Sequence, residues 1–288
     1  MSASIAEEEK RKVTEWFKAP VVDMRAPKEV LDMAISEFKP VRVFACFSGG
    51  NDSQVSTHYA MQNEYAQEVF NINTGIGIPE AREHLYRTVD RFNWPLRVKT
   101  PPELNYEEMV MKFGFPGPGA HTYPYAWLKE RAVEALIRET KRERSDKLML
   151  VTGVRQLESA RRMGYVEPVY KDGATIWVAP FYSYSRRERD AYMERHMLIR
   201  NPVTEKLGIS GECLCGAYAA PGERKKLNRF YPEFDSYLAV LEARAKEAGQ
   251  PYCEWGNGRR DDPNQGDLDF MPMCVNCIHK QNERETRA

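Results

Sequence analysis

The chain has 288 residues, 42% of them apolar and 29% charged, the balance of a water-soluble globular protein. Lys and Arg total 42 and so do Asp and Glu, so no global field draws the chain to nucleic acid or to a membrane; such a contact would need a local patch. No apolar run approaches the ~18–20 residues of a membrane span, and the opening SASIAEEEKRKVTEWF lacks the apolar core of a secretory signal. A cytoplasmic protein with no membrane partner is expected, and there its six cysteines stay reduced unless they hold a metal.

Residues 1–40 read as one or two amphipathic helices burying Val13, Trp16 and Phe17, then Val30, Leu31, Met33 and Ile35. The run VRVFACF at 41–47 is apolar but for Arg42, as a strand covered on both faces should be. A helix over about 53–64 leads to a strand at 68–72 and the turn NTGIGIPE. A helix at 80–92 follows, set off by Pro79, and then a short strand at 96–99. Residues 113–124, GFPGPGAHTYPY, read as a Gly/Pro loop. The helix predicted over 126–144 buries Trp127, Leu128, Val133, Leu136 and Ile137. Strands at 148–152 and 175–181 and a helix at 185–198 complete the alternation, which predicts a mostly parallel, doubly wound α/β sheet. The expected division is an N-terminal helical segment (1–40), a nucleotide-binding domain (41–200) and a small Cys-bearing lobe (201–288).

Three turns each follow a strand directly, so all should open onto one crevice at the carboxyl ends of the strands. Ser48-Gly49-Gly50-Asn51-Asp52-Ser53 combines a tight Gly turn, hydroxyls, a carboxylate and a helix start, a setting for a bound phosphate. It lacks the Lys of a Walker A loop, which suits pyrophosphate better than γ-phosphoryl transfer. Asn73–Glu80 offers Thr74 and Gly75 at a second strand end. Gly153–Arg162 offers Arg155, Arg161 and Arg162 as fork-shaped donors. The basic runs Arg186-Arg187-Glu188-Arg189 and Arg224-Lys225-Lys226 read as solvated helix faces.

Five of the six cysteines follow residue 212. Cys213-Leu214-Cys215 and Cys274-Val275-Asn276-Cys277 form two close pairs, a donor set for a four-thiolate iron–sulfur or zinc site. Cys253 lies between them as a replacement ligand, a free sulfur carrier or a packing residue.

Together these segments resemble the phosphoadenosine phosphosulfate (PAPS) reductase family of the PP-loop, adenine nucleotide alpha hydrolase-like superfamily, across most of residues 40–280. Ser48–Ser53 is similar to the family's SGGxDS loop, which holds phosphates of an adenine nucleotide. Asn73–Glu80 is similar to its DTG…PE segment, and Gly153–Arg162 to its GxRxxES…R segment. The two cysteine pairs resemble those that hold a [4Fe-4S] cluster in iron–sulfur members, which favours the cluster over zinc.

The SGGxDS wording is that of ATP pyrophosphatases, whereas sulfonucleotide reductases usually carry a Phe-containing loop and a C-terminal catalytic Cys segment that HKQNERETRA lacks. Asn73 stands where the family has Asp. The resemblance therefore implies an enzyme that binds ATP and Mg²⁺, adenylates an acceptor oxygen and releases pyrophosphate. Ser48, Gly49, Gly50, Asn51 and Ser53 would hold the leaving group, and Asp52 would position Mg²⁺ or a water. Arg155 with Arg161 or Arg162 would offset charge at the α-phosphate, where one preorganised donor is worth about 3–4 kcal/mol. Similarity to DNA phosphorothioation and tRNA thiolation enzymes implies a nucleic-acid acceptor, with a cysteine desulfurase or other thiol donor as partner. A reductase acting on PAPS or adenylyl sulfate (APS), and a non-catalytic nucleotide- and cluster-binding subunit, are the alternatives.

Overall fold

The computed structural model describes residues 25–101, 105–117, 122–156, 167–220 and 222–256. Helix α1 (Arg25–Phe38) precedes strand β1 (Arg42–Cys46), helix α2 (Asn51–Gln62), β2 (Glu68–Ile72), α3 (Pro79–Phe92) and β3 (Leu96–Lys99). Then come α4 (Tyr106–Phe113), a short α5 (Thr122–Tyr125), a π-helical turn (Ala126–Glu130) and α6 (Arg131–Thr140). Strand β4 (Leu148–Val151) is followed by the hairpin β5 (Val169–Asp172) and β6 (Thr175–Val178). Helices α7 (Arg186–Arg195), α8 (Pro202–Leu207), α9 (Glu223–Phe230) and α10 (Pro232–Glu247) end the described chain.

The six strands lie in the order β3-β2-β1-β4-β6-β5, all parallel except β5 against β6. Alternate residues of the inner strands serve opposite faces of the sheet. Val43 and Ala45 of β1 join Val55, Tyr59 and Ala60 of α2, Leu31 and Ala34 of α1 and Tyr192 of α7 in one core. Phe44, Phe70, Leu148 and Leu150 turn the other way, onto Val133 and Leu136 of α6. Helices thus cover both faces, and the sheet is doubly wound, as expected.

The structure differs from the predicted elements at identifiable points. Residues 1–24, with Val13, Trp16 and Phe17, lie outside the described residues. Helix α1 buries Val30, Leu31 and Ala34, whereas Met33 is 49% exposed and Ile35 only half-buried. The buried stripe runs along i, i+1 and i+4, and Met33 falls off it. The Gly/Pro segment 113–124 contains the short α5, and the helix after it opens with the π turn. Strand β5 answers to no predicted element. Gly173-Ala174, with Gly173 at φ 55°, makes its two-residue turn to β6.

The helices α8 to α10 contribute to a second core. Tyr106, Met109, Val110 and Leu128 of the middle segment pack there against Val203, Leu214, Leu227, Leu238, Leu241 and Trp255. Residues before and after position 200 thus share one continuous apolar cluster.

Candidate functional site

Strand order reverses between β1 and β4, and the segments leaving those two strands part there to form a crevice. The turn after β1 is built for an anion. Gly49 takes φ +75°, and a Cβ on Gly50 would stand 3.1 Å from Ser210 Cβ, so small residues are required. No side chain caps α2: Gly50 is its N-cap and makes no side-chain hydrogen bond. The first-turn N–H groups and the positive end of the helix dipole are left for a ligand.

Ser53 closes this turn from below. Its hydroxyl donates to Gly50 O (2.9 Å), accepts from Ser48 N–H (3.2 Å) and lies 3.0 Å from Ser48 Oγ. Ser53 is buried and Ser48 exposed, so Ser48 presents the accessible hydroxyl while Ser53 shapes the loop. Gly153, directly after β4, seals the other side. A Cβ there would lie 2.3 Å from Ser53 N and 2.5 Å from Asp52 C.

Asn201, fully buried at the N-cap of α8, holds the loop from outside. Its Nδ2 donates to Gly49 O and to Ser210 O (both 2.8 Å), its Oδ1 accepts from Val203 N–H (2.8 Å), and its own N–H donates to Asn51 Oδ1 (3.0 Å). Asn201-Pro202 carries a helix-start signal in the sequence. The far end of its hydrogen bonds, some 150 residues away, has no local sign.

Asp52 and Arg155 meet, but not as a phosphate clamp. Arg155 Nε donates to Asp52 Oδ1 at 2.5 Å and its NH1 donates to Tyr184 O at 3.0 Å; Arg155 is 3% exposed. Arg189 NH1 adds a 3.1 Å bond to the same Asp52 oxygen and continues to Asp190, which also accepts from Arg200 (2.9 Å). Burial works against the charge of Arg189, yet Asp52 and Asp190 outweigh it and hold its pKa above the ordinary value. Burial likewise opposes the Asp190 carboxylate, but Arg189 and Arg200 prevail and lower its pKa. The Arg155 and Arg189 guanidiniums both bind Asp52 through Oδ1, and Arg155 spends its Nε and NH1 on Asp52 and Tyr184. Asp52 and Arg155, expected to serve the nucleotide directly, are thus joined to each other beside the loop. Arg189, read as part of a solvated run, is buried for the same reason. Arg161 and Arg162 lie outside the described residues.

The second turn is fastened to the C-terminal lobe. Thr74, 1% exposed, donates through its hydroxyl to Glu212 O (3.0 Å), and Asn73 Oδ1 accepts from Gly75 N–H (2.9 Å) and from Arg82. Ile78 N–H donates to Gly211 O, and Leu214 N–H to Ile76 O (2.8 and 2.7 Å). A Cβ on Gly77 would stand 2.6 Å from Glu212 O. Gly75 is exposed with nothing near it, whereas the Thr74 hydroxyl is already engaged. Glu212, with Oε1 unpartnered and Arg82 3.8 Å away, is pushed up to about 7 by burial.

This seam carries Cys213 and Cys215, half-buried and side by side. The hydrogen bond from Cys215 lowers the Cys213 pKa against burial, with help from the charge of Lys129, and the Cys215 pKa rises correspondingly. Two adjacent thiols are a donor set that fits a thiophilic metal. Among the described residues no group of three His, Cys, Asp or Glu side chains assembles, so Cys253 does not complete a third position. Cys274 and Cys277 lie outside the described residues. Cys46 is inert: burial pushes its thiol up to about 12. Among the described residues no helix is long and apolar enough to cross a membrane.

Among solved structures, phosphoadenylyl-sulfate (PAPS) reductase from Candida auris in a phosphate complex aligns over 62% of this chain and 83% of its own, at 15% identity and TM-score 0.48. FMN adenylyltransferase from Candida glabrata with FAD and inorganic pyrophosphate aligns over 64% of this chain, at 12% identity and TM-score 0.43, and the chain spans only 60% of that protein's length. The NH3-dependent NAD synthetase from Campylobacter jejuni, with nitrate, aligns over 80% and 97% of the two chains, at 14% identity and TM-score 0.44. Comparison with curated protein sequences finds no match. The phosphoadenosine phosphosulfate reductase domain matches residues 42–210, more than half of the chain, with all of β1 to β6 and the Ser48–Ser53 loop inside it. The chain belongs to the phosphoadenosine phosphosulfate reductase domain family.

Proposed function

We propose that the chain is a PP-loop enzyme that cleaves ATP between its α- and β-phosphates and adenylates an oxygen of an acceptor. The observation that carries this reading is the uncapped N-terminus of α2 behind Ser48-Gly49-Gly50, held in shape by Ser53, Gly153 and Asn201. An acceptor oxygen attacks the α-phosphorus, the α–β anhydride bond breaks, AMP stays on the acceptor and pyrophosphate leaves. Backbone N–H groups of 49–51 and the Ser48 hydroxyl hold the departing pyrophosphate, where fixed dipoles act without reorganisation. Asp52, Arg155 and Arg189 keep the first turn of α2 in place. Arg161 and Arg162 are the cations proposed for the α-phosphate, on the family's GxRxxES…R pattern.

Cys213 and Cys215, with Cys274 and Cys277, would hold a [4Fe-4S] cluster, which would supply thiophilic and redox chemistry for sulfur transfer. On the resemblance to DNA phosphorothioation and tRNA thiolation enzymes, the acceptor is a nucleic acid and the sulfur comes from a cysteine desulfurase or another thiol donor. Matching the PAPS reductase domain favours a second reading, release of sulfite from PAPS or APS. The deciding experiment measures pyrophosphate release from ATP and sulfite release from PAPS and APS on anaerobically purified protein, with iron and zinc determined in the same sample. Pyrophosphate without sulfite is expected. Sulfite without pyrophosphate would replace the first reading with the second.

A further inference from the structure

Helix α7 ends against the preference of its own sequence. Leu198 N–H donates to Met193 O (2.8 Å) and Met197 N–H to Glu194 O (3.1 Å), the paired bonds of a Schellman stop. Such a stop forces one residue into the left-handed region, where Gly or Asn is usual. Here that residue is Met197, at φ 50°. Leu198 behind it is buried, but Met197 is 74% exposed and Ile199 59%. A glycine would relieve the backbone and a polar residue would suit the solvent. The chain instead holds two bare apolar side chains, one of them on strained backbone, and at that exposure neither serves the core.

Beside them a cavity of about 170 Å³ opens between α2, the C-terminal half of α3 and the segment Ile199–Pro202. Its surface is almost all apolar although Arg87 and Arg91 belong to its lining, so these two line it with their alkyl stems. The volume is well under the ~300 Å³ at which small-molecule sites begin. It suits one apolar side chain of a partner, the anchor-in-pocket arrangement that dominates binding at protein interfaces. Charge at the rim has a sign. Arg200 is answered by Asp190 (2.9 Å) and Glu194 (3.8 Å). Arg87 and Arg91 are exposed, and among the described residues neither pairs with a carboxylate. Arg91 gives one N–H to Met197 O (3.0 Å) and stands 5.3 Å from the Phe92 ring, while Arg87 has a 3.4 Å contact to Glu83 O.

We propose that Met197, Ile199 and this cavity form a docking site for an acidic segment of a partner protein. The segment sets one apolar side chain into the cavity and lays its carboxylates on Arg87 and Arg91. Met and Arg are the residue types enriched at such interfaces, Met because it adapts its shape to what it meets. A second copy of the chain is a poor occupant, because two-fold pairing of this patch brings the same arginines together. Single-stranded nucleic acid stacks on open aromatic faces. The exposed side chains here are aliphatic, and Phe92 is already stacked on Trp94 with 4.6 Å between ring centroids. No lining residue belongs to 48–53 or 73–80, so the site is separate from the phosphate loop and independent of the ATP reading.

Phage selection of random dodecapeptides on the full chain, with Met197→Asp as the counter-target, tests this. The enriched peptides are expected to be acidic around one shared Leu, Ile, Met, Phe or Trp. A labelled synthetic copy, followed by fluorescence anisotropy, should bind about tenfold or more weakly to Met197→Asp, to Ile199→Asp and to Arg87→Glu with Arg91→Glu. Its affinity should also fall as salt is raised. All four residues are exposed, so these variants should fold. Met197→Gly separates docking from helix termination: it should raise the thermal midpoint and still weaken the peptide. A Met197 that only ends α7 would move the midpoint and leave the peptide bound, which overturns the proposal. Selection that enriches nothing, peptides without acidic bias, or equal binding to every variant overturns it too. So does a dimer in sedimentation, or binding of oligothymidylate, that Met197→Asp abolishes, since either gives the patch another occupant.

Discussion

Replacing Asp52 by Asn separates a catalytic carboxylate from a structural one. The side chain is nearly isosteric, so what is lost is the charge between Arg155 and Arg189, residues 3% and 6% exposed. Arg155 would keep no carboxylate partner, and Arg189 only Asp190. Breaking one partner out of a buried pair costs about 3–5 kcal/mol. Asp52 is itself 21% exposed in its side chain and the amide oxygen still accepts one bond, which lowers the expectation to roughly 2–4 kcal/mol. Urea denaturation followed by circular dichroism reads this directly as a fall in midpoint. Arg155→Met supplies the control: combined with Asp52→Asn it should cost clearly less than the sum of the two single changes, because the stranded charge goes with it. A loss below about 0.5 kcal/mol for Asp52→Asn, the size of an ordinary surface change, would refute the reasoning. The carboxylate would then be free for chemistry after all.

Gly153→Ala forces a methyl into the backbone of Ser53 and Asp52. It should cost at least about 1–3 kcal/mol and weaken pyrophosphate binding, whereas Gly173→Ala, with open space at its Cβ, should leave that binding unchanged; calorimetry compares them. Asn201→Ala removes a helix cap worth about 1 kcal/mol and strands two carbonyls, so a total of roughly 3 kcal/mol or more is expected by denaturation. Asn201→Asp keeps the cap but turns a buried carboxylate onto the same two carbonyls, so it should lower stability as well as impair pyrophosphate binding. Burial depresses His84 from 6.5 to about 4. The unfolded chain then binds the extra proton between those values, so this contribution is intact above pH 6.5 and is lost as pH falls toward 4, at most about 3 kcal/mol. His84→Phe should flatten the acid limb of the stability curve, and an unchanged limb would show that the ring is not held neutral.

The sheet was legible because its inner strands are buried on both faces and read as apolar runs; all four residues of β4 are buried. The phosphate loop was legible because glycines, hydroxyls and a strand end coincide in six residues. β5 escaped notice because Val169, Tyr170, Lys171 and Asp172 grade from half-buried to exposed and carry no apolar alternation, although Gly173 marks the turn. α2 is buried around most of its girth, so its faces show no stripe. What the sequence hid was tertiary pairing of charge and amide. Arg189 sits in a run of arginines and differs from its neighbours only in facing Asp52. Arg155 likewise carries no local sign of its contact with Asp52.

Asn201 also bears on how the chain can be cut. A fragment ending at Leu198 would contain every strand of the sheet and the whole Ser48–Ser53 sequence, yet lack the amide that fixes Gly49 and Asn51. The family match runs on to residue 210, just far enough to include both Asn201 and Ser210, the carbonyl to which Asn201 is tied. The smallest portable unit of this protein is therefore bounded by a hydrogen-bonded strut and not by its last strand. Chimeras and truncations meant to keep the phosphate loop in working shape should be joined beyond Ser210.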